Sequence, residues 1–135
     1  MKRTITYRKA QLSDSMALYE LVCDLEGVML SYEKFYDILN EQLQDRQHYY
    51  FLVCEHEGRI IGILNLRFER QLHHAGPVAE ITEFYIAPDC RKEGVGRELF
   101  EKGVAVSKEF GSRLQPKPGC GAPVLYGARN EQYAL

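Results

Sequence analysis

The segment Glu80-Ile81-Thr82-Glu83-Phe84-Tyr85-Ile86-Ala87-Pro88-Asp89-Cys90-Arg91-Lys92-Glu93-Gly94-Val95-Gly96-Arg97 carries the densest chemistry in the chain. An apolar, β-branched and aromatic run ends at a proline, passes through a glycine-bearing loop and opens a helical pattern. Amide N–H groups at a helix start lack intrahelical partners and sit at the positive end of the helix dipole, so they bind phosphate oxygens. Gly94 and Gly96 lack Cβ atoms, which lets the backbone curl tightly and approach a diphosphate. Arg91 and Arg97 add charge-assisted bonds to the same anion. Such a loop is also a common structural turn, so its weight comes from what precedes it. The absence of GK[ST] excludes a P-loop, and the glycine spacing is not that of a dinucleotide fold.

Two carboxylates precede the loop. Both Glu80 and Glu83 stand on the strand that leads into it. Their odd spacing puts them on opposite faces of a regular strand unless a bulge intervenes. The bland reading of both is a salt-bridge partner. His73 and His74 are adjacent and lack a clear third ligand, so they read as an ordinary loop and no metal site is assigned.

The elements that position these residues follow from periodicity. Ile5 to Arg8 reads as a strand. Ser13 is an N-cap candidate for a helix with Leu18, Leu21, Val22 and Leu25 on one face, and Gly27 stands where a left-handed glycine would end it. A second helix follows Ser31, with Phe35, Ile38, Leu39 and Leu43 as its apolar stripe. Tyr49 to Glu55 and Arg59 to Phe68 form a hairpin around His56-Glu57-Gly58. Ala79 to Ala87 is the next strand, and a helix begins near Val95 with Leu99, Gly103, Val106 and Phe110 on one face. The expected order is β-α-α-β-β-β-α in one domain spanning residues 1–135. From Ser112 the chain changes character: prolines at 116, 118 and 123 interrupt any pattern, and only Val124-Leu125-Tyr126 reads as a short strand.

Here the sequence resembles the GNAT family of N-acetyltransferases. Arg91-x-x-Gly94-x-Gly96 is similar to the family's motif A, and Glu80-x-x-Glu83-Phe84-Tyr85-Ile86-x-Pro88 to its fourth strand. Leu72-His73-His74 and the Ala79–Glu83 run resemble the aminoalkylphosphonate N-acetyltransferases within it. The resemblance covers Ile5 to about Gly111. It implies a three-layer α/β/α fold around a mixed, largely antiparallel sheet. It also implies acetyl-CoA as acyl donor, bound by Phe84, Tyr85 and Ile86 on the strand and by Arg91, Lys92, Glu93, Gly94, Val95, Gly96 and Arg97 in the loop. A primary amine of a small molecule would attack the thioester carbonyl directly, giving a tetrahedral oxyanion and then a thiolate leaving group. Its ammonium must first lose a proton, which makes Glu83 the first candidate for the general base and Glu80 the second. Tyr32, Phe35 and Tyr36 would mix core packing with a wall of the acceptor site. A remnant that binds coenzyme A with little turnover is the second reading, and a protein-lysine acetyltransferase the third.

The sequence departs from the family after the motif A helix, where a pattern resembling N-x-x-A-x-x-F-Y-x-x-x-G-F and its proton-donating tyrosine are missing. Back-translating residues 114–135 and reading one nucleotide later, the genetic code permits C-S-P-N-R-A-A-A-H-R-F-Y-T-E-R-G-M-N-S-T-H-Y. That peptide follows the missing pattern, so residues 112–135 are expected to be atypical, replaced by a frameshift from about Leu114. Gene codons that forbid H-R-F-Y in that frame overturn the expectation. Tyr126 is not promoted to catalytic acid. An uncovered sheet favours association, so the tail is expected to pack on its own sheet or on a partner chain, and a homodimer is expected.

Composition bounds the rest. The chain has 135 residues and a formal net charge of −2, which gives no broad basic surface for nucleic acid. The start, Met1-Lys2-Arg3-Thr4-Ile5-Thr6-Tyr7, contains no apolar signal region, and no run suggests a membrane span. The scattered cysteines, Cys23, Cys54, Cys90 and Cys120, fit reduced thiols, so a cytoplasmic location is expected.

Overall fold

The computed structural model describes residues 4–115, apart from the side chains of Arg113 and Gln115. Its elements in chain order are β1 (Thr6–Lys9), α1 (Ser15–Glu26), α2 (Tyr32–Gln44), β2 (Tyr49–His56), β3 (Arg59–Gln71), β4 (Gly76–Ile86), α3 (Val95–Glu109) and β5 (Arg113–Gln115). The sheet is five-stranded in the order β1-β2-β3-β4-β5. The first three pairings are antiparallel, and β4 pairs with β5 in parallel. The expected mixed, largely antiparallel sheet is therefore present.

Local chemistry accounts for the helix ends. Ser31 caps α2, its hydroxyl oxygen accepting the Lys34 N–H at 3.3 Å. Gly27 ends α1 in the left-handed conformation, φ 72°, as its position predicts. At the other end of α1 the cap is Asp14 rather than Ser13, because Leu12–Asp14 forms a 3-10 turn first. Arg8 fixes that turn with paired bonds of 2.9 and 3.0 Å to the Asp14 carboxylate. Strands β3 and β4 run longer than their periodicity suggests, taking in Arg70 and Pro77, which face each other at the sheet end.

The helices cover the sheet unequally. Helix α3 lies on the face carrying Cys54, Leu64, Leu66 and Ile86, all fully buried. A Cβ at Gly103 would stand 2.4 Å from Leu64 Cδ2, and one at Gly62 would stand 2.6 Å from Cys54 Sγ and Ile86 Cδ1. Glycine is what lets this helix and sheet approach so closely. Helices α1 and α2 cover the other face, where Phe51, Val53, Ile61 and Ile63 are buried beside the polar Asn65.

One correction concerns the tail. Arg113–Gln115 is a strand, pairing with Val78–Glu80, although no alternation announces it. Neighbouring β4 supplies an open edge there, and a parallel partner can be recruited by pairing alone. Val124-Leu125-Tyr126, and the expected packing of the tail, lie outside the described residues.

Candidate active site

Strand β4 changes register at its centre. Glu80 faces Arg67 and Ile81 faces Leu66, but Glu83 faces Asn65, so Thr82 is an extra residue with no partner on β3. This bulge decides where both carboxylates go. Arg67 and Asn65 are two apart on β3 and share a face, so Glu80 and Glu83 share it too. The regular-strand expectation of opposite faces does not hold.

Sharing a face does not make the two carboxylates equivalent. Glu80 is 7% exposed and is held by Arg67, with Nε at 3.0 Å and Nη2 at 2.6 Å from Oε1. That bond is the main cause of an upward shift in the Arg67 pKa. Glu83 instead lines a cavity of about 410 Å³ between α1, α2 and the sheet. Its Oε1 accepts two bonds, from Asn65 Nδ2 at 2.9 Å and from Thr82 Oγ1 at 2.9 Å. Both fall on one oxygen, which leaves Oε2 to receive a proton. Asn65, 1% exposed, is oriented by a second bond from Nδ2 to Gln42 Oε1 at 2.9 Å. Its own Oδ1 is buried without a partner.

The cavity has a direction. On α2 its lining runs from Ser31 and Lys34 through Phe35, Ile38 and Leu39 to Gln42, about 12 Å between Lys34 and Gln42 at helical rise. Val22 and Leu30 close it from the α1 side, and Phe51 from the sheet. Of the three aromatics expected to form an acceptor wall, Phe35 lines this cavity. Tyr32 and Tyr36 line a separate shallow depression with Glu33 and Asp37. Tyr32 packs edge-on to Tyr19 and bonds Ser15 Oγ at 2.9 Å, a packing role. His73 and His74 sit on a 3-10 turn with rings 4.3 Å apart. No group of three or more potential metal ligands comes together among the described residues.

Among the described residues, β5 pairs with β4 at Val78–Glu80 and no strand pairs with the outer side of β4 beyond it. The Ala87 N–H donates to Ile61 O at 2.8 Å. Alternation then turns the backbone groups of Phe84 and Ile86 toward the outer edge, and those of Tyr85 toward β3. The edge leads into the loop. Lys92 and Gly94 both take left-handed conformations, φ 66° and 84°, and α3 begins at Val95. The Glu98 N–H is bonded to Gly94 O at 3.0 Å. The amides of Val95, Gly96 and Arg97 precede it and have no acceptor within the helix. Such curled amides form an anion-binding concavity.

The loop residues divide their work in ways the sequence alone did not reveal. Gly94 needs its positive φ, whereas Gly96 is buried inside the first helical turn. Val95 is buried as an anchor, and Lys92, Glu93 and Arg97 are exposed. Arg91 is turned inward: its Nε donates to Ile86 O at 2.9 Å and its guanidinium lies 5.0 Å from the Tyr85 ring centre. It braces the strand-to-helix corner. Arg59 adds a paired contact to Asp89 at 2.9 and 3.0 Å and holds that carboxyl down at about 2. This brace was missed because its partners are 30 residues apart on different elements.

Helices thus cover both faces of a sheet whose bulged fourth strand leads to a helix start with no intrahelical acceptors for its first amides. Residues 15–115 match the model of the Acetyltransferase (GNAT) family, and the chain belongs to that family. It is 29% identical over 107 residues to an aminoalkylphosphonate N-acetyltransferase of Salmonella typhimurium, covering 79% of this chain and 69% of that protein. Its fold is similar to glucosamine-6-phosphate N-acetyltransferase of Arabidopsis thaliana, with TM-score 0.77, 18% identity and coverage of 95% and 90% of the two chains. It is also similar to an acetyltransferase of Clostridium acetobutylicum solved with acetyl-CoA, with TM-score 0.74, 19% identity and coverage of 93% and 89%. Acetyl-CoA is the acyl donor of the family, and the chemistry is acetyl-CoA-dependent N-acetylation.

Proposed function

We propose that this chain acetylates the primary amine of a small molecule by direct attack, with Glu83 as the proton acceptor. The observation that carries this reading is the bulge at Thr82, which sets the Glu83 carboxylate in the wall of the cavity. The residues present fit the donor. The strand segment 84–86 takes the pantetheine arm, with Ile86 O kept by Arg91 Nε, and the amides from Lys92 to Arg97 hold the diphosphate. Arg97 and Lys92 add charge, Val95 and Gly96 anchor the helix start, and Tyr85 and Arg91 hold the corner.

Acetyl-CoA supplies an acetyl group activated as a thioester. The protein's own part is to accept and deprotonate the acceptor. An ammonium enters the polar end of the cavity, and Glu83 Oε2 takes its proton directly or through one water, leaving a lone pair free to attack. Asn65 and Thr82 keep Oε1 fixed while this happens. Glu80, held by Arg67, is the second candidate and serves as a positioning residue in this reading.

Residues 1–135 act as one catalytic domain in this proposal, with 112–135 atypical. No helix among the described residues is long and apolar enough to cross a membrane. A cytoplasmic location and a homodimer complete the proposal; nucleic acid and membranes are not among the proposed partners. The missing N-x-x-A-x-x-F-Y pattern favours one alternative, a form that binds coenzyme A with little turnover. Titrating acetyl-CoA by thermal shift, then following thiol release with a panel of amines, decides between them. Stabilisation with release supports the enzyme, stabilisation alone supports the alternative, and neither refutes both.

A further inference from the structure

The acceptor cavity is polar at one end and apolar along most of its length. Gln42, Asn65 and Glu83 form the polar end through their mutual hydrogen bonds. The groups there that can receive an ammonium, the Glu83 carboxylate and the buried Asn65 Oδ1, which has no hydrogen-bond partner, are acceptors. Val22, Leu30, Phe35, Ile38, Leu39 and Phe51 make the walls. At the far end Lys34 and Glu26 carry opposite charges, so that end presents no net positive field.

We infer that the acceptor is a primary amine on an apolar body, an alkylamine or arylalkylamine, rather than an amine bearing a phosphonate or phosphate. This rests on the acetylation reading above and names its substrate class. The ammonium meets the acceptors at the Glu83 end. A chain of about six carbons or a phenyl ring then lies along Phe35, Ile38 and Leu39, removing apolar surface from water. A phosphonate in the same place would give up its hydration against those side chains with a single lysine to receive it, which is unfavourable. The relative from Salmonella typhimurium is named for an aminoalkylphosphonate; the lining of this cavity sets the present chain apart from that chemistry.

The test compares hexylamine and phenethylamine with 2-aminoethylphosphonate, using the full chain at saturating acetyl-CoA and following thiol release. The expected result is a kcat/KM at least about tenfold higher for the apolar amines, the scale a hydrophobic pocket provides. Ile38 is 54% exposed, so Ile38→Asp is tolerated by the fold. It should reduce the preference by about tenfold while acetyl-CoA binding, read by calorimetry, stays unchanged. Equal or greater turnover of the phosphonate overturns the inference, as does a preference that Ile38→Asp leaves intact. If acetyl-CoA binds but no amine is turned over, amine binding in the presence of coenzyme A is ranked by calorimetry instead. The same order supports the inference and a flat order refutes it. Failure of acetyl-CoA itself to bind refutes the acetylation reading, a separate outcome.

Discussion

The two faces of the sheet solve opposite problems. Under α3 the packing is apolar and close: Gly62 and Gly103 remove the Cβ atoms that would hold helix and strands apart, and Leu64, Ile86 and Leu99 fill the space. Burial, with Cys90 and Glu98 nearby, pushes the Cys54 thiol there up to about 12. Under α1 and α2, the sheet keeps a cavity of about 410 Å³ with Asn65 and Glu83 on its wall, and Asn65 Oδ1 buried without a partner. Such groups cost stability. The comparison teaches that one face holds the domain together so that the other can hold polar groups in place for chemistry.

The sharpest way to break that contrast is to change one group on each face. Glu83→Gln should lower kcat/KM about 10²–10⁴-fold, the range for losing a general base. Its Oε1 can still accept from Asn65 and Thr82, so the urea midpoint should hardly move. A stability loss as large as the loss of activity would show that Glu83 is structural. Leu64→Ala on the dry face should do the reverse, costing about 2–5 kcal/mol in urea denaturation. Only a small loss there would mean that the α3 face is not the main source of stability.

A smaller effect tests the corner between the faces. Gly94 has φ 84° and an added Cβ would meet nothing within 4 Å. Gly94→Ala therefore carries only the conformational cost of about 1–2 kcal/mol, and it should weaken acetyl-CoA binding measured by calorimetry. Unchanged affinity would separate this loop from the donor site.

The smallest effect concerns pH. Arg8 holds the Asp14 carboxyl below its ordinary value. A folded pKa below the unfolded one means that the stabilisation is present above the unfolded Asp value and is lost as pH falls through the folded one. Arg8→Met should remove up to about 1 kcal/mol near neutral pH and flatten the acid side of the stability profile. An acid limb as steep as in the wild type would count against this pair.

Much of this was legible in the chain order. Ser31, Gly27 and Gly94 mark their boundaries because caps and left-handed turns depend on one or two residues. The family resemblance read in the sequence rests on the same kind of local signal, Arg91-x-x-Gly94-x-Gly96 after an apolar strand. Strand β5 was not legible, since Arg113–Gln115 is held by pairing with β4 and has no pattern of its own.

Local pattern along the chain places the loop, the strand that leads into it, and Glu80 and Glu83 just before it. Only the tertiary structure decided which carboxylate faces the cavity. Which face each carboxylate takes depends on the register between β3 and β4, and one unpaired residue at Thr82 reverses it. Arg67 then occupies Glu80, and Ile86 O takes Arg91 Nε from the loop. Those pairings join residues distant in sequence or across strands, and folding alone brings them together.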